Sequence, residues 1–110
     1  MNQTNANATA LYESIVAELL ERPGVERGTM MGYPCLRLEG TFFACQARSG
    51  ELVLKLPAER VLALVESGDG EPFAPAGRTF REWVALPTPD REQWRALTDE
   101  AVAFATAKAT

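Results

Sequence analysis

The spacing of apolar residues predicts a helix near the start of the chain. From Ala8 onwards, apolar side chains recur every three or four residues, the pattern of a helix with one buried face. Because Pro23–Gly24 cannot continue a helix, this element is predicted to end at Arg22. Residues 1–7 are polar and lack this periodicity, so they are predicted to form a loose tail. The remainder, residues 8–110, is predicted to fold as a single domain.

Two further helices are predicted in the second half of the chain. One follows Pro57, a residue suited to a first helical turn, and ends at Gly68, which tolerates the left-handed conformation of a helix terminus. The other is predicted to be capped by the hydroxyl of Thr88, with Pro89 in its first position. Its apolar stripe begins at Trp94.

Between the first two helices the apolar period changes to two, which is typical of strands. Leu36 and Leu38 alternate with charged residues, and a second apolar run follows the Glu39–Gly40 break. This pattern predicts a β-hairpin in which Gly40 supplies the positive φ of the turn. Further strands are predicted at Thr29–Met31, Glu51–Leu56 and Phe80–Leu86, with a short strand near Pro72–Phe73.

The order of these elements predicts the fold class. A helix, three strands, a helix, one or two strands and a helix indicate an α+β domain. Short connections between consecutive strands require antiparallel pairing, here in a sheet of about five strands. Three helices with one apolar stripe each can cover one face of that sheet. The predicted architecture is a two-layer α+β domain with an antiparallel sheet and three helices.

This layout and several short motifs resemble the N-terminal domain family of TfoX/Sxy and, more distantly, the MmcQ/YjbR family. The likeness extends over about residues 8–106. Met31 and Tyr33 stand where the family has Phe and a second Gly, and Glu39 stands where it has Asp. The matching segments are Met30–Tyr33, Leu36–Gly40, Phe43–Ala44, Leu52–Lys55, Glu71–Phe73 and Trp83–Pro87.

The resemblance implies a bacterial protein with a secretion-chaperone-like α+β fold. It links the chain to competence regulation and, through the YjbR relatives, to DNA binding. It implies no enzymatic activity, because neither family supplies catalytic residues that could be carried over to this sequence.

Composition and charge narrow the classes of function. The chain has 110 residues and no histidine, so no Ser-His-Asp triad, Cys-His pair or His-ligated metal site can be built within it. Eleven Lys and Arg residues stand against 15 Asp and Glu, and this net charge of −4 disfavours nucleic acid as a partner. No apolar run approaches the roughly 20 residues of a membrane span. The polar start of the sequence, without a signal peptide pattern, favours a cytoplasmic location.

The cysteines, Cys35 and Cys45, flank the predicted hairpin turn. With a two-residue turn, residue 36 faces 43 and residue 35 faces 44, which puts the cysteines on opposite faces of the hairpin. One more residue in the loop would set Cys35 directly across from Cys45. The hydrophobic pattern favours the first register, so the sequence predicts two free thiols with a structural role.

The most distinctive segment for binding is Arg78–Trp83. Arg and Trp are among the side chains most enriched at interface hot spots. The alternative is that Phe80 and Trp83 close the core while the arginines lie in solvent. No catalytic residue, cofactor or metal ligand is predicted. The candidate surface for a ligand or partner comprises Tyr33, Lys55, Arg78, Arg81 and Trp83.

Three functions are compatible with these features. The leading hypothesis is a non-enzymatic regulatory or protein-interaction module whose partner is an unknown protein. The alternatives are a DNA-binding module and a domain that binds a small anionic ligand. Self-association as a homodimer, through an exposed sheet face or edge, is left open.

Overall fold

Three helices and one antiparallel sheet make up the fold in the computed structural model, which describes residues 3–30 and 32–109. A short 3-10 helix over Pro75–Gly77 lies between the last two strands. The helices are α1 (Gln3–Leu19), α2 (Ala58–Ser67) and α3 (Arg91–Ala109). The strands are β1 (Val25–Met30), β2 (Tyr33–Leu38), β3 (Thr41–Gln46), β4 (Leu52–Lys55), β5 (Glu71–Pro72) and β6 (Trp83–Leu86).

The six strands form one sheet in the order β1-β2-β3-β4-β6-β5. The predicted two-layer α+β class is confirmed, with six strands where about five were expected. β1 is longer than predicted and starts at Val25 rather than Thr29. All six of its residues pair with residues of β2, and this pairing holds a segment that has little strand pattern of its own. The predicted end of that strand, Met31, lies outside the described residues. β6 starts at Trp83 rather than Phe80, because the chain turns just before it and the Trp83 N–H donates to the Phe80 carbonyl at 3.1 Å.

The hairpin turn is confirmed, but the predicted register beyond it is wrong. Leu38 pairs with Thr41 across the Glu39–Gly40 turn, in which both residues have positive φ (48° and 88°) as the predicted two-residue turn requires. Arg37 then pairs with Phe42, whereas Leu36 pairs with Ala44. This one-residue slip is a β-bulge between the two strands.

The bulge places Cys35 directly across from Cys45, with the two Cα atoms 4.0 Å apart. The cysteines form a disulfide, so the prediction of two free thiols on opposite faces is wrong. The sequence pattern allowed this pairing only through one extra residue in the loop. The structure instead inserts the extra residue inside β3, at Phe43, whose side chain is fully buried. Because of the bulge, Phe43 and Ala44 both lie in the main core, and Cys45 joins Cys35 on the other face of the sheet.

Both faces of the sheet are buried, by different means. One face packs against all three helices and forms the main core, to which α1 contributes Tyr12 and α3 contributes Trp94. The other face has a second cluster, to which no residue of the three described α-helices belongs. Aromatic side chains from strands and loops cover this face instead. The buried members of the second cluster are Cys35, Cys45, Val53, Phe73, Trp83 and Ala85.

The helix ends differ from the predictions. α1 begins at Gln3, so the loose tail predicted for residues 1–7 does not hold for residues 3–7; residues 1 and 2 lie outside the described residues. Once the amphipathic part from Ala8 is helical, each added residue gains a backbone hydrogen bond without a new nucleation step. α1 ends at Leu19, before the predicted Arg22.

Asp90, not Thr88, caps α3. The helix begins at Arg91, and Oδ1 of Asp90 accepts a hydrogen bond from the backbone N–H of Gln93 at 3.1 Å. Pro89 therefore precedes the helix instead of occupying its first position. Starting the helix after Asp90 lets a carboxylate, which the helix dipole favours, take the capping position. At the other predicted terminus, Gly68 has φ 86° and ends α2 as expected.

Candidate functional site

An open apolar groove lies between α2 and the chain that leads into β6. Its volume is about 420 Å³, within the range of roughly 300–1,000 Å³ that is usual for ligand sites. α2 forms one wall, and the segment around Phe80 and Trp83 forms the other. We call this surface the α2–β6 groove and define it by Leu62, Val65, Pro72, Phe80, Arg81 and Trp83.

The aromatic wall of the groove is held by the second core cluster. Phe73 is buried and packs edge-on against Phe80, with ring centroids 5.8 Å apart and planes at 82°. The same ring lies 6.5 Å from the ring of Trp83. The backbone is tied at this point as well, because the Phe80 N–H donates to the Phe73 carbonyl at 3.0 Å. Phe80 and Trp83 therefore close the core, as one of the two interpretations of this segment expected, and also line the groove.

The α2 wall presents an apolar residue that the core does not use. Val61 and Leu64 are buried in the main core, whereas Leu62 is 58% exposed and lines the groove. At about 100° per residue, the four apolar positions 61, 62, 64 and 65 form a stripe about 160° wide. An apolar stripe wider than contact with the core requires is the sequence signal for this wall of the groove.

Three cationic side chains are associated with the aromatic wall. Arg81 is exposed and lines the groove directly. The Nζ atom of Lys55 lies 6.0 Å from the centroid of the Trp83 ring, and β4 pairs with β6 so that Lys55 is opposite Trp83. Cζ of Arg78 lies 5.8 Å from the centroid of the Phe80 ring. Both separations are within the range of cation–π attraction.

These three cations are not paired with carboxylates, unlike most arginines of the chain. Among the described residues, no ion pair involves Lys55, Arg78 or Arg81. Elsewhere, arginines meet acidic partners, and hydrogen bonds from Arg91 and then Arg95 lower the pKa of Glu18. The paired groups are Arg27 with Glu13, Arg37 with Glu26, Arg60 with Glu100, Arg91 with Glu18, and Arg95 with Glu18 and Asp99.

The structure brings four of the five candidate residues together and separates the fifth. Lys55, Arg78, Arg81 and Trp83 all lie at the aromatic wall of the groove. Tyr33 is on β2, three strands from β6 in the sheet, which corresponds to roughly 14 Å at the usual strand spacing. It lines a separate, smaller cavity of about 220 Å³ instead.

That smaller cavity has a buried amide whose hydrogen bonds are made within the protein. Gln46 is buried at its side, and its Nε2 donates to Oγ1 of Thr9 and to the carbonyl of Gly50, both at 3.2 Å. A buried amide with these partners stabilises the β3–β4 connection and has no need of a ligand. The candidate site is therefore the α2–β6 groove.

Few side chains in the part of the chain that the structure describes have the surroundings of a reactive group. No group of three or more Cys, Asp or Glu side chains there could hold a metal ion. The pKa of Glu51 is raised, first by burial and then by repulsion from Glu71, but Glu51 does not line the groove. The described helices include none with the length and apolar character needed to cross a membrane. The groove has the composition of a binding surface, with apolar walls and few polar groups.

No protein-family model, curated protein or solved structure matches this chain. The resemblance to the TfoX/Sxy N-terminal domain family therefore stays a prediction based on the short motifs given above.

Proposed function

We propose that this chain is a non-enzymatic protein-interaction module that binds an apolar segment of a partner protein in the α2–β6 groove. The observation that carries the proposal is Leu62, a large apolar side chain left 58% exposed beside an open apolar groove. Contiguous exposed apolar surface with a polar rim is typical of protein-interaction sites. Trp83 and Arg81 at the opposite wall are residue types that dominate binding energy at such sites.

The sheet edges are poorer candidates for an interface. β1 exposes the charged residues Glu26 and Arg27 along one edge, and β5 at the other edge has two residues, one of them Pro72. Charges, proline and short length all disfavour the addition of a further strand. These features support the groove, rather than strand addition or self-association through an edge, as the interaction site.

A small anionic ligand is the second candidate, favoured by the cations at the aromatic wall. The volume of about 420 Å³ suits such a molecule. DNA binding has less support, because five arginines are engaged by carboxylates and the net charge is −4.

Selection from a random peptide library displayed on phage tests the proposal. Peptides selected on the wild-type protein are expected to bind the Leu62→Glu variant at least about tenfold more weakly, because a carboxylate replaces the apolar contact. The matched control is Leu20→Glu, which makes the same substitution at an exposed leucine (36%) just after α1 that does not line the groove. Circular dichroism and the melting temperature check that both variants fold.

Two results would contradict the proposal. One is that no peptide from the library is enriched on the wild-type protein relative to the Leu62→Glu variant. The other is peptides whose affinity falls equally in both variants, since that would place the binding surface away from the groove.

A further inference from the structure

From the charges around the groove we infer the chemistry of its partner: a short apolar segment flanked by acidic residues, whose carboxylates pair with Arg81 and the neighbouring cations. This inference rests on the proposed function and specifies its ligand. Three cations that make no ion pair in the described residues lie together at one wall of this groove.

Most arginines of the chain already have an acidic partner within the protein. Five of them contact Glu or Asp side chains at 2.5–3.2 Å, on β1, β2, α2 and α3. Six cationic residues make no ion pair within residues 3–30 and 32–109, and three of them, Lys55, Arg78 and Arg81, are at the groove; the others are Arg22, Arg48 and Lys108. In a chain with an excess of acidic residues, three unpaired cations at one wall form a local positive region.

The arrangement of the cations indicates more than one carboxylate in the partner. Arg81 lines the groove, whereas Lys55 and Arg78 lie beside it, over the rings of Trp83 and Phe80 that form its wall. A single small carboxylate can pair bidentately with one guanidinium. A segment with two or more acidic residues can contact cations along the whole wall while its apolar side chain fills the groove.

One acidic residue of this chain also lines the groove, and its position limits where the partner's acids can lie. Glu59 is in the first turn of α2, where the helix dipole stabilises its charge, and it lies on the wall opposite Arg81. The acidic residues of the partner are therefore expected on the β6 side, with the apolar side chain directed toward Leu62 and Val65.

The test uses the random peptide library and two charge reversals. Sequences selected on wild type are expected to contain an apolar residue with Asp or Glu enriched nearby, relative to the unselected library. Arg81→Glu is expected to weaken their binding about tenfold or more, and raising the salt from 0.05 to 0.5 M is expected to weaken wild-type binding as well. Arg22→Glu is the matched control, because it makes the same change in net charge at an exposed arginine that forms no ion pair in the described residues and does not line the groove.

A charge-swapped peptide keeps the inference testable if Arg81→Glu is poorly folded or alters the groove. Replacing the acidic residues of a selected peptide by Lys should abolish binding to wild type and restore it to Arg81→Glu.

The outcomes separate the inference from the proposed function. Peptides that depend on Leu62 but show no acidic enrichment and no loss with Arg81→Glu would overturn the inference and leave the groove as the binding site. If no peptide is enriched on the wild-type protein relative to Leu62→Glu, both the inference and the proposed function are overturned. Sodium octanoate tests for a small ligand in the same groove. If octanoate binds saturably, Arg81→Glu abolishes that binding and no peptide is selected, the inference is overturned in favour of a small amphipathic carboxylate.

Discussion

Reduction of the Cys35–Cys45 disulfide is expected to leave the fold in place and to lower its stability. The bond closes a loop over a sequence separation of 10 residues. For a loop of that size the chain-entropy relation gives a stabilisation of about 2.7 kcal/mol, because the cross-link restricts the unfolded chain. The reduced cysteines remain compatible with the core, since both are buried among apolar neighbours and the Cys35 thiol has the Tyr33 carbonyl within 3.3 Å.

Thermal unfolding with and without reductant measures this effect. At roughly 4 °C per kcal/mol for a domain of this size, the reduced protein is expected to melt about 10 °C lower, with an unchanged far-ultraviolet circular dichroism spectrum before melting. Titration of thiols in denaturant should find none without reductant and two after reduction.

Either of two results would refute this reasoning. Two titratable thiols in unreduced protein would mean that the bulged register is absent and that the cysteines are on opposite faces of the hairpin. An unchanged melting temperature after complete reduction would mean that the loop contributes no measurable stability.

The remaining predictions concern stability and are measured by urea denaturation. Asp90→Ala is expected to lower the free energy of unfolding by about 1 kcal/mol through loss of the α3 cap, whereas Thr88→Ala should change it by less than about 0.5 kcal/mol; the reverse order would contradict the cap assignment. Trp94 is buried, and its Nε1 has no partner among the described residues. Trp94→Phe should therefore cost less than about 2 kcal/mol, against about 3–5 kcal/mol for Trp94→Ala, and equal losses would argue against this. Gly70→Ala should cost about 1–3 kcal/mol, because its Cβ would lie 2.7 Å from a side-chain carbon of β6; an unchanged stability would show that β6 can shift. Glu18→Gln should be less stable than wild type at pH 7. Because the folded-state pKa of Glu18 is lowered, that difference should shrink as the pH falls below 4.5 and through the lowered pKa, and a difference that persists in full at pH 2 would contradict it.

Local signals in the sequence were sufficient for most elements of the fold. The Glu39–Gly40 turn and the end of α2 at Gly68 were predicted because each depends on the backbone conformation of one or two residues. The apolar stripes of the helices were predicted because a single period describes them.

Features that depend on tertiary contacts were missed. The bulge at Phe43 places Phe43 and Ala44 in the same core cluster and moves Cys45 to the face of Cys35, without any change in the turn. The groove likewise requires Phe73 to hold Phe80 against the sheet, a contact between residues whose spacing has no regular period. Four candidate residues lie near one another in the structure because three of them are close in sequence and Lys55 is opposite Trp83 across a strand pair.

Backbone chemical shifts of isotopically labelled protein, followed during titration with a selected peptide, test most directly whether the α2–β6 groove is the binding surface. We expect the largest changes in residues 58–65 of α2 and residues 79–83 before and within β6, with little change in β1 and α1. Changes that concentrate on the β1 edge or on the exposed faces of α1 and α3, with α2 unaffected, would contradict the proposed function.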